Sequence, residues 1–308
     1  MKPAIIINMG IYLSKPNTAK DSHFGENESL RFGVSAMQGW RMNMEDAHIS
    51  QPRLTESTSL FAVFDGHGGP EVAKFCAKVF PSELLKNEKF TAGNYKTALE
   101  ETFLKMDAIL LTSDGTDALK EFRSDPDNTT SFAGCTANVV LLTKTEIFVA
   151  NAGDSRAILY TGDGNVTPLS TDHKPDVETE RTRIYNAGGY VSEGRVNDNL
   201  NLTRAIGDLE YKKNPALKPE QQIITAFPDV LIKPVETNAR FLVIGCDGIW
   251  ETMTAKEICQ HIETRLTSNP DVKLTSVIEE LLDRLIAKET MEGIGCDNMS
   301  CIVVQFKR

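Results

Sequence analysis

The chain has 308 residues, 41% of them hydrophobic and 25% charged, which is the balance of an ordinary folded domain and excludes a disordered, collagen-like or disulfide-stapled small protein. No apolar run approaches the roughly 20 residues that a membrane-spanning helix needs. With 33 basic against 43 acidic residues the net charge is −10, a poor basis for nonspecific nucleic-acid binding, so no nucleic-acid partner is expected.

At the start, Ala4 to Ile7 is too short for the apolar region of a signal peptide. Met9-Gly10-Ile11-Tyr12-Leu13-Ser14 matches the N-myristoylation pattern, with Gly10 as the acyl acceptor if translation begins at Met9. One acyl chain gives only marginal membrane binding. Residues 1–22 are therefore expected to be an N-terminal extension and 23–308 a single domain. A monomer of the cytoplasm or nucleus is expected, with partial membrane association where Gly10 is acylated.

Taken along the chain, β-branched and apolar runs predict strands at 31–37, 59–65, 136–142, 146–151, 155–160, 241–246 and 299–306. Helical spacing of apolar residues predicts helices at 70–86, 93–112, 255–267 and 272–290. Strands, a helix pair, more strands, then helices and a last strand do not alternate regularly. That order favours an α+β layered domain over a Rossmann sheet. Segment 113–134 is polar and turn-rich and is expected to be a surface loop. Segment 161–240 has few long apolar runs and is expected to cover or flank a site rather than build a core.

The six cysteines, at positions 76, 135, 246, 259, 296 and 301, lack C-x-x-C spacing, and the five histidines are scattered. Buried free thiols are expected, and a zinc site is not. The carboxylates are more informative. Leu60 to Phe64 runs into Asp65-Gly66, and Phe241 to Cys246 runs into Asp247-Gly248. An unpaired charge at the end of a buried strand is costly, so a cation or hydrogen bonds must compensate. The following glycine lets a ligand approach and leaves its carbonyl free to coordinate. Asp154 sits at the turn of a hairpin, Asp297-Asn298 precedes the last strand, and Glu45-Asp46 follows Arg41. Hard oxygen donors from several strand ends favour Mg²⁺ or Mn²⁺ over zinc.

These residues carry a resemblance. Met37-Gln38-Gly39-Trp40-Arg41-Met42-Asn43-Met44-Glu45-Asp46-Ala47-His48 and Val63-Phe64-Asp65-Gly66-His67-Gly68-Gly69 resemble the first two signatures of the metal-dependent type 2C protein serine/threonine phosphatases. Gly134 to Ala137, Asn151 to Arg156, Asp172-His173-Lys174-Pro175, Asn186 to Gly189, Leu202 to Asp208, Cys246 to Trp250 and Asp297 to Ser300 follow in that family's order, and the match covers residues 9 to 306.

The resemblance implies a four-layer αββα sandwich, two antiparallel sheets flanked by helix pairs, with a two-metal centre at one end. It implies that Asp65 bridges both ions, that the Gly66 carbonyl holds one, and that Asp247 and Asp297 hold the other. Glu45 and Asp46 would act through coordinated waters or as near ligands, and Asp154 would help hold a weaker third ion with Asp247. The implied reaction is hydrolysis of phosphoserine and phosphothreonine in signalling phosphoproteins, by a hydroxide bridging two ions, without a phosphoenzyme. Arg41 is the candidate phosphate clamp and His67 the candidate general acid. Thr136 and Asn298 are supporting candidates.

Glu251 stands where the family usually has Asp, and its part in a third metal site is the point of departure. Arg195 and Asp208 are expected to be structural polar partners, and Trp40 and Trp250 packing residues. His173 and Lys174 lie in the segment resembling the flap beside the cleft, where contact with a peptide substrate and a plain turn are both open. Two other readings stay open: a binding module on the same fold, and a hydrolase of another phosphate ester.

Overall fold

The computed structural model describes residues 12–123 and 132–307. Gly10 and Met9 therefore lie outside the described residues, as does part of the segment expected to be a loop at 113–134.

Two sheets form the middle of the molecule. One has six strands in the order Tyr12–Glu26, Leu30–Arg41, Met299–Phe306, Ala239–Gly245, Arg156–Thr161 and Val166–Pro168. The other has five, in the order Asp229–Pro234, Glu146–Ala152, Ala137–Leu142, Ser59–Phe64 and Ala47–Gln51. Every pairing in both is antiparallel. Helices Glu71–Lys86 and Tyr95–Leu110 pack on the five-stranded sheet, and helices Ala255–Ser268 and Leu274–Leu285 on the six-stranded one. This is the expected four-layer α+β sandwich.

Strand Ser59–Phe64 shows why its sequence is apolar without a break. Phe61 and Val63 join the core shared with the six-stranded sheet, while Leu60, Ala62 and Phe64 join the core under the helices. Side chains alternate across a strand, and here both faces are covered, so no position is left for a polar residue. The helix Ala255–Ser268 begins at a capping box in which Thr254 and Glu257 satisfy each other's backbone N–H groups.

Three expectations are corrected. Residues up to 22 are not all an extension: Tyr12–Glu26 is an edge strand paired along Leu30–Arg41, and the expected boundary falls inside it. Its alternation is hidden because an edge strand is largely exposed, and it holds Pro16, which edges tolerate. Segment 113–134 is not all loop: Ser113–Lys120 is a helix capped by Thr112, whose hydroxyl accepts from the Gly115 N–H at 3.0 Å. Segment 161–240 has a small core of its own, made of Ile184, Val196, Leu202, Ala205 and Ile224. It also contributes the edge strand Asp229–Pro234, which the sequence reading missed together with Ala47–Gln51. All six cysteines are free and buried, as expected.

Of the connections that pass from one sheet to the other, two carry candidate site residues. Residues 42–46 join Leu30–Arg41 to Ala47–Gln51, and residues 153–155 join Glu146–Ala152 to Arg156–Thr161. Both carry acidic residues, and both lie at the same end of the sandwich as the ends of Ser59–Phe64 and Ala239–Gly245.

Candidate metal centre

Asp65 leaves the five-stranded sheet at the end of Ser59–Phe64. Its backbone is fixed by Thr136, whose N–H donates to the Asp65 carbonyl at 2.9 Å and whose hydroxyl accepts from the Asp65 N–H at 3.4 Å. That hydroxyl also meets Ser155 Oγ at 2.7 Å. Gly66 must lack a side chain, because a Cβ there would collide with the backbone carbonyl of Glu45. The two sequence motifs that resemble the family's first signatures thus touch backbone to backbone.

From the six-stranded sheet come Asp247 and Asp297. Gly248 lies so close to the Asn298 carbonyl that a Cβ there would collide with it. Asn298 ties three segments together: its Oδ1 accepts from the Glu45 N–H at 2.9 Å, and its Nδ2 donates to the carbonyls of Gln38 at 2.8 Å and Asn43 at 2.9 Å. Arg41 Nη1 donates to Asp297 Oδ2 at 3.1 Å. Asp154 is not at the expected hairpin turn but at a crossing between sheets, since Glu146–Ala152 and Arg156–Thr161 belong to different sheets, and it is paired with Lys174.

The carboxylates converge. Single oxygens of Asp65, Asp154 and Asp247 lie within 4.8 Å of one another, as do those of Asp247, Glu251 and Asp297. Asp46 and Asp65 form a third such group with the Cys246 sulfur. Burial and the carboxylates of Asp46, Asp65 and Asp247 push the Cys246 thiol well up, so it is a neutral neighbour rather than a thiolate. Burial, reinforced by Asp297, raises Asp46 to about 7. Burial, reinforced by Asp154 and Asp297, likewise raises Asp247 to about 7. Burial and the same crowd of acids raise Asp65 well above the ordinary range.

A cation fits this arrangement. Asp46 Oδ2 is buried without a hydrogen-bond partner, and the donors are carboxylate oxygens with the open Gly66 carbonyl beside them. Such a set suits a hard divalent ion and offers no histidine or thiolate for zinc.

His67 stands beside the acids on the two-residue strand Gly66–His67, and its Nε2 lies 2.7 Å from Asp208 Oδ2. Burial pulls its pKa down, but Asp208, Asp154 and Glu45 outweigh that and raise it. Glu251 is near enough to share a cation with Asp247 and Asp297, and its Oε2 accepts from the Gly295 N–H at 2.8 Å.

His173 is buried. Its Nδ1 accepts from the Gly153 N–H and its Nε2 meets Asp229, each at 3.1 Å, so it anchors the crossing segment 153–155 rather than facing a substrate. Arg195 is exposed and donates to the Asn199 carbonyl. Trp40 and Trp250 pack, with their indole N–H groups on the carbonyls of Ala287 and Gly245. The sequence reading missed that Lys174 meets Asp154 and that Ser155 braces Thr136. Both sit beside named motif residues, so motif adjacency was the available signal.

Comparison with known proteins agrees with this geometry. The family model described as protein phosphatase 2C matches residues 30–294. "Probable protein phosphatase 2C 3" of Paramecium tetraurelia is 49% identical over 302 residues, spanning 97% of this chain and 100% of the relative. "Probable protein phosphatase 2C 21" of Arabidopsis thaliana is 42% identical over 334 residues, spanning 97% of this chain and 93% of the relative. The crystal structure of a phosphatase from Toxoplasma gondii superposes with a TM-score of 0.74 at 26% identity, covering 94% of this chain and 96% of that one. The chain belongs to the protein phosphatase 2C family and is a metal-dependent protein phosphatase.

Proposed function

We propose that the chain dephosphorylates phosphoserine and phosphothreonine in proteins with two Mg²⁺ or Mn²⁺ ions held by Asp65, the Gly66 carbonyl, Asp247 and Asp297. Glu45 and Asp46 would bind through waters or as near ligands, and Asp154, with Asp247 close by, would hold a weaker third ion, while Glu251 groups instead with Asp247 and Asp297. The observation that supports this reading is the convergence of carboxylates from both sheets beside one arginine and one histidine.

Bound divalent ions supply an acidified water as nucleophile and neutralise phosphate charge. The protein's own groups do the rest. Arg41 is oriented by Asp297 through Nη1, which leaves Nη2 and Nε to grip phosphate oxygens as a planar fork. His67 donates a proton to the departing serine or threonine oxygen. Rigid strand ends hold the acids in place, so little reorganisation accompanies the reaction. No side chain of the protein is phosphorylated in this scheme.

For its setting, the reading is a monomer of the cytoplasm or nucleus. Acylation of Gly10, where translation begins at Met9, adds a weak membrane foothold.

The test is phosphate release from a phosphothreonine peptide with Mn²⁺, with Mg²⁺ and with EDTA, for wild type and Asp247→Asn. Metal-dependent release that disappears in the variant is expected. Release in EDTA, or none from any phosphopeptide while the protein still binds metal, would overturn the reading.

A further inference from the structure

We propose that Asp208 is a positioning residue for His67, holding the imidazole so that Nδ1 alone faces the leaving oxygen. This rests on the phosphatase reading of the site and assigns a role to a residue 141 positions away in sequence.

The pair is assembled by a small three-stranded sheet apart from the two large ones. Gly66–His67 pairs with Gly134–Cys135, and Gly134–Cys135 pairs on its other side with Ile206–Gly207. His67 and Asp208 thus approach each other across Gly134. A Cβ at Gly134 would collide with Asp208 Oδ2 and lie 2.7 Å from His67 Nε2. Glycine at this position is what allows the two side chains to meet.

Asp208 is held in a conformation that aspartate seldom adopts. Its φ is 48°, in the left-handed region, where a non-glycine residue persists only if its surroundings fix it. Its N–H donates to the Ala133 carbonyl at 3.2 Å, and its carbonyl accepts from the Tyr211 N–H at 3.0 Å. The preceding Gly207 N–H donates to Asp107 Oδ1 at 2.8 Å, and Lys212 holds the other oxygen of Asp107 at 2.5 Å. The Asp208 side chain is 1% exposed, so its carboxylate is aimed at the imidazole from a rigid, dry support.

The consequence is a fixed tautomer. A carboxylate accepts only, so Nε2 carries the hydrogen in both protonation states of the ring. Nδ1 is then the one ring atom able to exchange a proton with substrate. As the oxygen of the attacking water bonds to phosphorus, the ester P–O bond breaks and its electron pair stays on the serine or threonine oxygen. That oxygen takes the Nδ1 proton and leaves as the alcohol. The ring remains as the Nε2–H form, without turning over, and regains a proton from solvent. An aryl phosphate leaves as a stable phenolate and needs no such proton.

The experiment compares kcat on a phosphothreonine peptide and on p-nitrophenyl phosphate, both in saturating Mn²⁺, for wild type, Asp208→Asn, His67→Ala and the double variant. Asp208→Asn is expected to lower turnover of the peptide by about 10²-fold. Turnover of the aryl ester should change by less than about threefold, because its leaving group needs no acid. The double variant should be no worse than His67→Ala alone, as expected of residues acting as one unit. Gly134→Ala, with Asp208 intact, should reproduce the same selective loss if the asparagine variant is too unstable to assay. Equal losses on both substrates, multiplying losses in the double variant, or unchanged peptide turnover would each overturn the proposal. Wild type that hydrolyses neither substrate would sink the phosphatase reading itself, a result easily told apart from these.

Discussion

Thr136 holds both main-chain polar groups of Asp65, donating its own N–H to the Asp65 carbonyl and accepting the Asp65 N–H on its hydroxyl. The aspartate that would hold a cation in the proposed mechanism therefore owes its backbone position to a neighbouring residue, Thr136. Thr136→Val keeps the shape and removes the hydroxyl, leaving the Asp65 N–H and Ser155 Oγ without that partner. Groups that orient ligands typically contribute 10–100-fold in metal affinity. Calorimetric titration with Mn²⁺ should show binding weakened by about tenfold or more, with the fold retained. Unchanged affinity would show that Thr136 is an ordinary strand residue.

Asn298 makes a sharper case, because its amide is used in both senses. Asn298→Asp keeps the size but replaces the two N–H donors with an anionic oxygen facing the carbonyls of Gln38 and Asn43. Unsatisfied buried groups cost about 1–3 kcal/mol each. A loss of about 2–4 kcal/mol in unfolding free energy is expected by urea denaturation, with weaker metal binding because the Glu45 loop is released. Stability within 0.5 kcal/mol of wild type, on the scale of neutral surface changes, would contradict the role drawn here.

Stripped of metal, the centre is a set of crowded acids. Asp46 and Asp247, each raised to about 7 chiefly by burial, bind protons more readily when folded than when unfolded. The stabilisation this gives is complete below the ordinary carboxylate range and is lost as pH rises through about 7. In EDTA the melting temperature should therefore fall between mildly acidic and mildly alkaline buffer, and Mn²⁺ should restore most of it at the higher pH. A metal-free melting curve that rises with pH over this window would contradict the crowding argument.

Glu180 behaves in the opposite direction. It is buried between Arg183 and Arg204, with Thr203 donating to it as well. Burial would raise its pKa, but the bonds and charges of Arg204 and Arg183 outweigh that and lower it to about 2. Its contribution is present above the ordinary glutamate value of 4.5 and is lost as pH falls through about 2, on the order of 3 kcal/mol in all. Glu180→Gln leaves Arg183 without its anion and Arg204 with Asp229 alone, and should cost a few kcal/mol, roughly 3–5, at neutral pH. The loss should shrink in acid, which thermal melts at several pH values would reveal.

Much of the site was legible because it sits where apolar strands stop. Asp65 and Asp247 stood out because buried strands read as unbroken hydrophobic runs, and a charge at their end is conspicuous. The edge strands were not legible. Tyr12–Glu26 shows one face to solvent and carries a proline, so it resembles a tail. Ser113–Lys120 was hidden for a similar reason: its buried residues are only Gly115 and Leu119, too few to make a stripe. The meeting of His67 with Asp208 depends on a three-stranded pairing of two-residue segments, and pairs so short leave no periodicity to read.

The placement of the acids on both sheets has a mechanical side. Asp65 belongs to one half of the sandwich, Asp247 and Asp297 to the other, and Glu45, Asp46 and Asp154 to the chain segments that cross between them. An ion held in common by Asp65 and Asp247, as proposed above, would be a rivet through a laminate: while it stayed, the two plies could not slide or part at that end. Any motion that opens the sandwich there would first have to surrender the ion, while the ion itself could leave with the fold still closed.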